Sequence, residues 1–402
     1  MPHPTCGSLS VEMFSERVPR SLDPNRITRA VRRARDLGSP LTDLTVTNPT
    51  SVGIEYPANM LDPLAARAAL TYSPDPFGLA DARRAVAADY ARRRLTVDPD
   101  RVILTSSTSE AYSILFKLLC EPRGDDVLVP VPSYPLFEHL TVLDGVRAVP
   151  YRLDYHGRWA LAAEDLDHCW TSATRAVLAV SPNNPTGSVL SSEELDELST
   201  RCGSRHAALI LDEVFADYSL GTGADHVHGD SRPVPSSLTF RLGGLSKSAG
   251  LPQVKLGWVI VDGPEVLVRQ ALERLEVICD AYLSVSTPVQ VAARELIESG
   301  AAVREQIIER IRTNYRALTS VAALHPTVEV LTTEAGWSSV IRIPSTRSEE
   351  DVVVDLLERD DVLVHPGFFF DFPHEAFLVV SLLPEPPVFA DGVRRMMERV
   401  DA

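Results

Sequence analysis

From Arg101 to Val259 the sequence alternates short, nearly all-apolar runs with stretches of helical periodicity. RVILT (101–105), DVLVP (126–130), RAVLAV (175–180), ALILD (208–212), LTFRL (238–242) and LGWVIV (256–261) read as buried strands. After the first of them, Ala111, Ile114, Leu115, Leu118 and Leu119 recur at helical spacing. SSEELDELSTRC (191–202) reads as a helix opened by a capping box, Ser191 with Glu194. A strand that is apolar on both faces needs cover on both faces, and the intervening helices supply it. The alternation therefore predicts an α/β fold with a mainly parallel sheet between helices.

Beyond Leu267 the pattern turns to long helical stretches, including 289–324. The last hundred residues change again: TVEVL, SSVIRI, VLVHPG and FLVVSLL predict a smaller α+β unit, closed by a helix near 390–400. The expected division is a segment 1–50 packing with the small unit, a large domain over 51–285 and a small domain over 286–402.

Composition narrows the function. A formal net charge of −16 on 402 residues speaks against nucleic acid as a partner, because phosphate binding needs a basic surface. No run of about 18 apolar residues occurs, so no membrane span is expected. MPHPTCGSLS lacks a basic stretch followed by an apolar one, which argues against a secretory leader. Cys6, Cys120, Cys169, Cys202 and Cys279 are scattered with no C-x-x-C pair, so neither a disulfide framework nor a zinc site is expected. These readings point to a cytoplasmic enzyme without a metal.

Four places are equipped for chemistry. In LTSSTSEAY (104–112) a strand ends, and Ser107-x-x-Glu110 opens a helix whose start carries Ser107, Thr108 and Ser109. A helix N-terminus binds phosphate readily, although a plain capped helix looks the same. SPNNPTG (181–187) follows a strand, where open α/β sheets bind ligands; it also reads as an ordinary turn. Asp212 closes the apolar strand ALILD, and a buried carboxylate needs a partner; a helix cap is the other reading. Lys247 stands in GGLSKSAGLP between Ser246 and Ser248 with glycines close by. A desolvated lysine near other cations can lose its proton and attack a carbonyl, whereas most loop lysines are solvated. Taken together, an anion site, an asparagine turn, a buried acid and an amine at successive strand ends match what pyridoxal phosphate requires.

With these motifs the sequence resembles the class I/II aminotransferases, the fold type I pyridoxal phosphate enzymes, from about Thr42 to the C-terminus. The resemblance implies a large domain with a mainly parallel, seven-stranded-type sheet plus a smaller α+β domain. It implies that Lys247 forms the Schiff base with the cofactor. Asp212 pairs with the pyridinium nitrogen, Asn184 bonds the ring hydroxyl, and Ser107, Thr108 and Ser109 hold the phosphate. Tyr134, in PSYPLF, stacks on the ring and counts with Lys247 and Asp212 as catalytic. Ser246 adjoins the cofactor. Tyr72, in TYSPDPFG, reaches the phosphate of a neighbouring subunit, which implies a homodimer with shared active sites. The partners implied are an amino donor and a keto acceptor.

Several positions depart from the family's pattern. Phe215 stands where a tyrosine usually donates to the ring oxygen, with Tyr218 as the candidate to take that role. Lys255 replaces an arginine on the phosphate, Gly244 replaces a serine, and Thr47 replaces a substrate-side glycine. Val379, in FLVVSLLP, stands where an arginine grips the substrate carboxylate. Arg342 and Lys255 are the cations that could compensate. Otherwise the substrate lacks that carboxylate and rests on Trp337, Phe368 and Phe369. The expected activity is amino transfer with an atypical carboxylate site; the alternative is another reaction of the same cofactor, such as elimination, cyclisation or oxidation.

Overall fold

A computed structural model describes residues 15–19, 22–221 and 236–401. The stretch read for a leader, and Cys6 with it, lie outside the described residues. Eight strands form the large sheet: β1 (Val102–Thr105), β2 (Asp126–Val131), β3 (Arg147–Tyr155), β4 (Trp159–Leu161), β5 (Thr174–Val180), β6 (Ala208–Asp212), β7 (Thr239–Gly244) and β8 (Gly257–Asp262). Their spatial order is β1-β8-β7-β6-β5-β2-β3-β4. β7, β6, β5, β2 and β3 pair in parallel. β8 runs against both β7 and β1.

The six strands read from apolar runs are all present, with ends that agree to within two residues. The sheet has one strand more than the seven expected, because β4 pairs antiparallel with the end of β3 in a hairpin. Gly157 makes that turn at φ 85°. β3 left no apolar run to read: it alternates buried Tyr151 and Leu153 with exposed residues and contains Pro150. β1, β2, β5, β6 and β7 are buried almost throughout, as strands covered on both faces must be. One layer of cover is the helix Thr108–Leu119, whose Ala111, Ile114 and Leu115 join Ile210 and Val259 in a core.

The C-terminal part builds a second sheet in which Ser338–Arg342 pairs antiparallel with Phe377–Ser381 and with Glu329–Val330. The helix Arg26–Asp36 lies against the helix Glu349–Asp360, and Thr42–Asp43 pairs in parallel with Val362–Leu363. Residues within 26–43 thus contact the C-terminal unit directly. The helix Ala293–Ala322 packs on both the N-terminal helix Ala80–Arg92 and the closing helix Pro386–Val400. Among the described residues no helix is long and apolar enough to cross a membrane.

Candidate active site

Register brings the four motifs to one edge of the large sheet. Val180 at the end of β5 pairs with Asp212, and Asp212 pairs with Leu242 of β7. The loops leaving these three parallel strands therefore begin level with one another. Thr105 at the end of β1 and Gly244 at the end of β7 both pair with Gly257. The Ser107 helix start joins the same edge, where ligands of open α/β sheets bind. These segments line one cavity of about 270 Å³.

The two asparagines of SPNNPTG divide their work. Asn183 is buried; it donates to the Pro132 carbonyl at 3.0 Å and to Thr186 Oγ1 at 2.9 Å, and accepts from Ser133 at 3.0 Å. It fastens the turn to the segment that carries Tyr134. Asn184 lines the cavity, where its only hydrogen bond among the described residues is one accepted from Ser338 at 3.4 Å. Its amide nitrogen is left to donate inward. Gly187 sits at φ 68°, and a Cβ there would come within 2.5 Å of the Ala335 carbonyl. Only glycine fits that turn.

Asp212 is 6% exposed. Its Oδ2 accepts from the Tyr112 hydroxyl at 2.5 Å and its Oδ1 from the Val214 amide at 3.0 Å. Burial raises its proton affinity, while the Tyr112 and Val214 donors and Lys247 oppose that rise. Tyr112 was not read from the sequence as a site residue. The signal was available: it follows Thr108 by four positions, so it shares the helix face of the cavity-lining start.

Lys247 lies in the short helix Leu245–Ser248 directly after β7. Its Nζ sits 4.7 Å from the ring centroid of Trp337 and 5.3 Å from that of Phe215. Burial pushes the ammonium down to about 8, with Asp212 opposing. An amine with that value is partly neutral near pH 7, as a nucleophile must be. The chain contains three lysines, Lys117, Lys247 and Lys255, and two of them line this cavity.

The other end suits an anion. Ser107 accepts from the Glu110 amide at 3.2 Å and caps the helix, but Glu110 reaches back to the Ser106 amide, at 2.6 Å, instead of closing the expected box. Ser107, Thr108 and Ser109 line the cavity with Lys255, which has no ion-pair partner among the described residues. A Cβ on Gly257 would come within 3.2 Å of the Thr108 amide nitrogen. The missing side chain leaves the helix start open. Tyr134, Ser246, Gly244, Thr47, Phe215 and Trp337 complete the wall, together with Ser338, Phe137 and Leu140, which the sequence reading did not single out.

Other expectations fall elsewhere. Tyr72 is 72% exposed and lines a separate shallow hollow with Tyr282 and Ser284. Val379 is buried, paired with Val340 and packed in a core with Phe370 and Phe372, and does not line the cavity. Arg342 is exposed and ion-paired with Glu329, so it is no compensating cation. Phe368 and Phe369 lie against one another outside the lining. Tyr218 is fully buried and donates to the backbone carbonyl of Lys247, so it does not replace the missing donor at Phe215. No arginine lines the cavity among the described residues.

Comparison with known proteins places this geometry. The family model for aminotransferase class I and II matches residues 48–385. The glutamate-pyruvate aminotransferase AlaA of Haemophilus influenzae is 28% identical over 361 residues, covering 87% of this chain and 88% of that protein. The alanine aminotransferase of Mycobacterium tuberculosis is 27% identical over 373 residues, covering 89% and 85%. Among solved structures, an alanine aminotransferase from Pyrococcus furiosus superposes with a TM-score of 0.81 at 23% identity, over 92% of this chain and 95% of that one. A Thermus thermophilus aspartate aminotransferase double mutant gives 0.82 at 22% identity, over 96% and 99%.

Proposed function

This chain belongs to the class I and II aminotransferases, which depend on pyridoxal phosphate, and from that premise we propose which of its residues carry the reaction. The cavity's donor set fits the cofactor. A buried carboxylate suits the protonated ring nitrogen, an amide nitrogen with no partner among the described residues suits the ring oxygen, and an open helix start beside a lysine with no ion-pair partner among them suits the phosphate. When bound, pyridoxal phosphate supplies an aldehyde that takes up an amine and a ring that withdraws an electron pair from the neighbouring carbon.

The protein's residues do the rest. Asp212 would hold the ring nitrogen in its protonated form by offering a charged acceptor in a dry place. Asn184 would donate to the ring oxygen, and Tyr134 would lie against the ring. Ser107, Thr108, Ser109, Ser246 and Lys255 would hold the phosphate. Lys247 would hold the cofactor through Nζ and, with Nζ free, would accept and return a proton at that atom. The observation that supports this reading best is the arrangement of Lys247, lowered to about 8, in one cavity with buried Asp212. The names of the relatives favour amino transfer over elimination or oxidation.

Two finer points belong to the same reading. We infer a homodimer in which Tyr72 serves a second copy's site, supported by the exposure of Tyr72 beside Leu70, which is 86% exposed. The substrate carboxylate, if present, is not held by an arginine among this chain's described residues. The half-reaction tests the whole proposal: alanine, glutamate and their matching esters and amines are mixed singly with the loaded enzyme, and cofactor absorbance is followed. Conversion of the cofactor to its amine form, with one keto product per site and no further turnover until a keto acid is added, is expected. Continuous turnover on one amino substrate alone would refute amino transfer. A free-acid preference over esters above about a hundredfold would restore a strong carboxylate grip.

A further inference from the structure

We propose that Tyr112 is a positioning residue for Asp212: its hydroxyl fixes the plane of the carboxylate and holds it in the charged form on the cavity wall. The inference rests on the role assigned to Asp212 above.

The geometry carries it. Both residues are buried and both line the cavity. Tyr112 projects from the helix Thr108–Leu119 and Asp212 ends β6, so the bond ties the helix that presents the anion site to the strand that presents the acid. Each carboxylate oxygen takes one protein donor: Oδ2 from Tyr112 at 2.5 Å, Oδ1 from the Val214 amide at 3.0 Å. A carboxylate offers about four acceptor positions. Two fixed donors on different oxygens lock its rotation and leave the remaining positions for a ligand in the cavity. Tyr112 is held in turn: its ring meets Phe137 edge-on at 5.3 Å and Phe116 at 6.1 Å. A phenol confined in this way keeps its hydroxyl on one acceptor.

Chemistry gives the bond its direction. Burial alone would hand Asp212 a proton, and a neutral acid cannot stabilise a protonated ring nitrogen. A hydrogen bond to the charged form opposes that, and Tyr112 is its largest opponent. The other ionisable groups that face Asp212 are Glu213 beside it, Lys247, and Tyr134 across the cavity. Glu213 is engaged by Arg93 and Arg241 on the far side of the strand end.

The readout is the pH dependence of pyridoxal phosphate affinity, measured by equilibrium dialysis of the full chain. Titration of Lys247 and of the cofactor's own groups shapes the profile in every variant alike; the further fall below the pH at which Asp212 takes a proton is the part that Tyr112 should move. Tyr112→Phe removes one charge-assisted bond, which corresponds to about ten- to hundredfold in the proton affinity of Asp212. The fall in affinity should therefore begin at higher pH. The shift should vanish in an Asp212→Asn background, where no carboxylate titrates. Replacement of Tyr112 by 3,5-difluorotyrosine keeps the ring and makes the hydroxyl a stronger donor, so the fall should begin at lower pH; this arm stands even if the phenylalanine variant misfolds. An unmoved profile in both Tyr112 variants, or a shift that persists with Asp212→Asn, overturns the inference. An Asp212→Asn enzyme that binds cofactor as the parent does would instead overturn the role of Asp212 itself.

Discussion

Lys247 Nζ stands 4.7 Å from the centre of the Trp337 ring, close enough for a cation–π contact, and its ammonium is nevertheless pushed down to about 8. Two opposed effects meet at this atom. The ring faces of Trp337 and Phe215 favour the charge, and Asp212 favours it too. Removal from water disfavours it and wins. The site is built so that its amine is poised to lose a proton.

That poise makes the amine a liability for folding, with a definite sign. The folded value of about 8 lies below the ordinary 10.5. Between those two values the unfolded chain holds a proton on this lysine that the folded chain has shed, so stability rises with pH across the window. Below pH 8 the full penalty remains. In cofactor-free protein Lys247→Met should add about 1–3 kcal/mol at pH 7 and flatten the rise between pH 8 and 10. Urea unfolding of the two proteins across that range measures both effects. A variant less stable than its parent at pH 7 contradicts the argument.

Phe215 puts an apolar ring where a donor to the cofactor's ring oxygen was expected, and Tyr218 does not compensate because it bonds the Lys247 carbonyl. Phe215→Tyr should supply the donor and stabilise the ionised ring oxygen. The pH at which the visible band of the bound cofactor changes should fall, by an amount worth about 0.5–1.5 kcal/mol for one hydrogen bond. A spectrophotometric titration of both enzymes decides. An unchanged pH would show that the new hydroxyl makes no bond to the ring oxygen.

Much of this was legible in the sequence, and the exceptions have physical causes. The central strands β5, β6 and β7 could be read because burial on both faces forces a continuous apolar run, and their parallel register then carried Asn184, Asp212 and Lys247 to one edge. β3 and β4 could not, since an outer hairpin need only alternate. The Glu110 box failed by a single residue because its carboxylate is shared between the Ser106 amide and Ser284, a partner 174 positions away. Tyr112 was missed for a similar reason: its spacing from Thr108 puts it on the cavity side of the helix, but its value depends on Asp212, a hundred positions distant. Of the groups expected to compensate for Val379, Lys255 and Trp337 line the cavity, whereas Arg342 is drawn into an ion pair with Glu329 and Phe368 and Phe369 lie outside the lining.

Tyr72 tests the dimer. It is 72% exposed and lies outside the cavity of its own chain. A Lys247→Ala chain and a Tyr72→Phe chain, unfolded together and refolded as a mixture, should form heterodimers with one intact site. Activity above that of either parent, up to about a quarter of the unmutated enzyme's from random pairing of two chains with one good site in each heterodimer, is expected. Mixtures no more active than their parents, with both parents folded and dimeric, would show that Tyr72 serves no neighbour.

The central claim is that Lys247 is the amine that carries the cofactor. With three lysines in the chain the claim has few rivals, and Lys255 in the same cavity is the nearest of them. Borohydride reduction of the loaded enzyme, followed by proteolysis and mass spectrometry, fixes the cofactor to whichever amine holds it. The account predicts one pyridoxyl group per chain, on Lys247, and none in the Lys247→Ala protein. A label on Lys255 or Lys117, or full labelling after Lys247 has been removed, would contradict it.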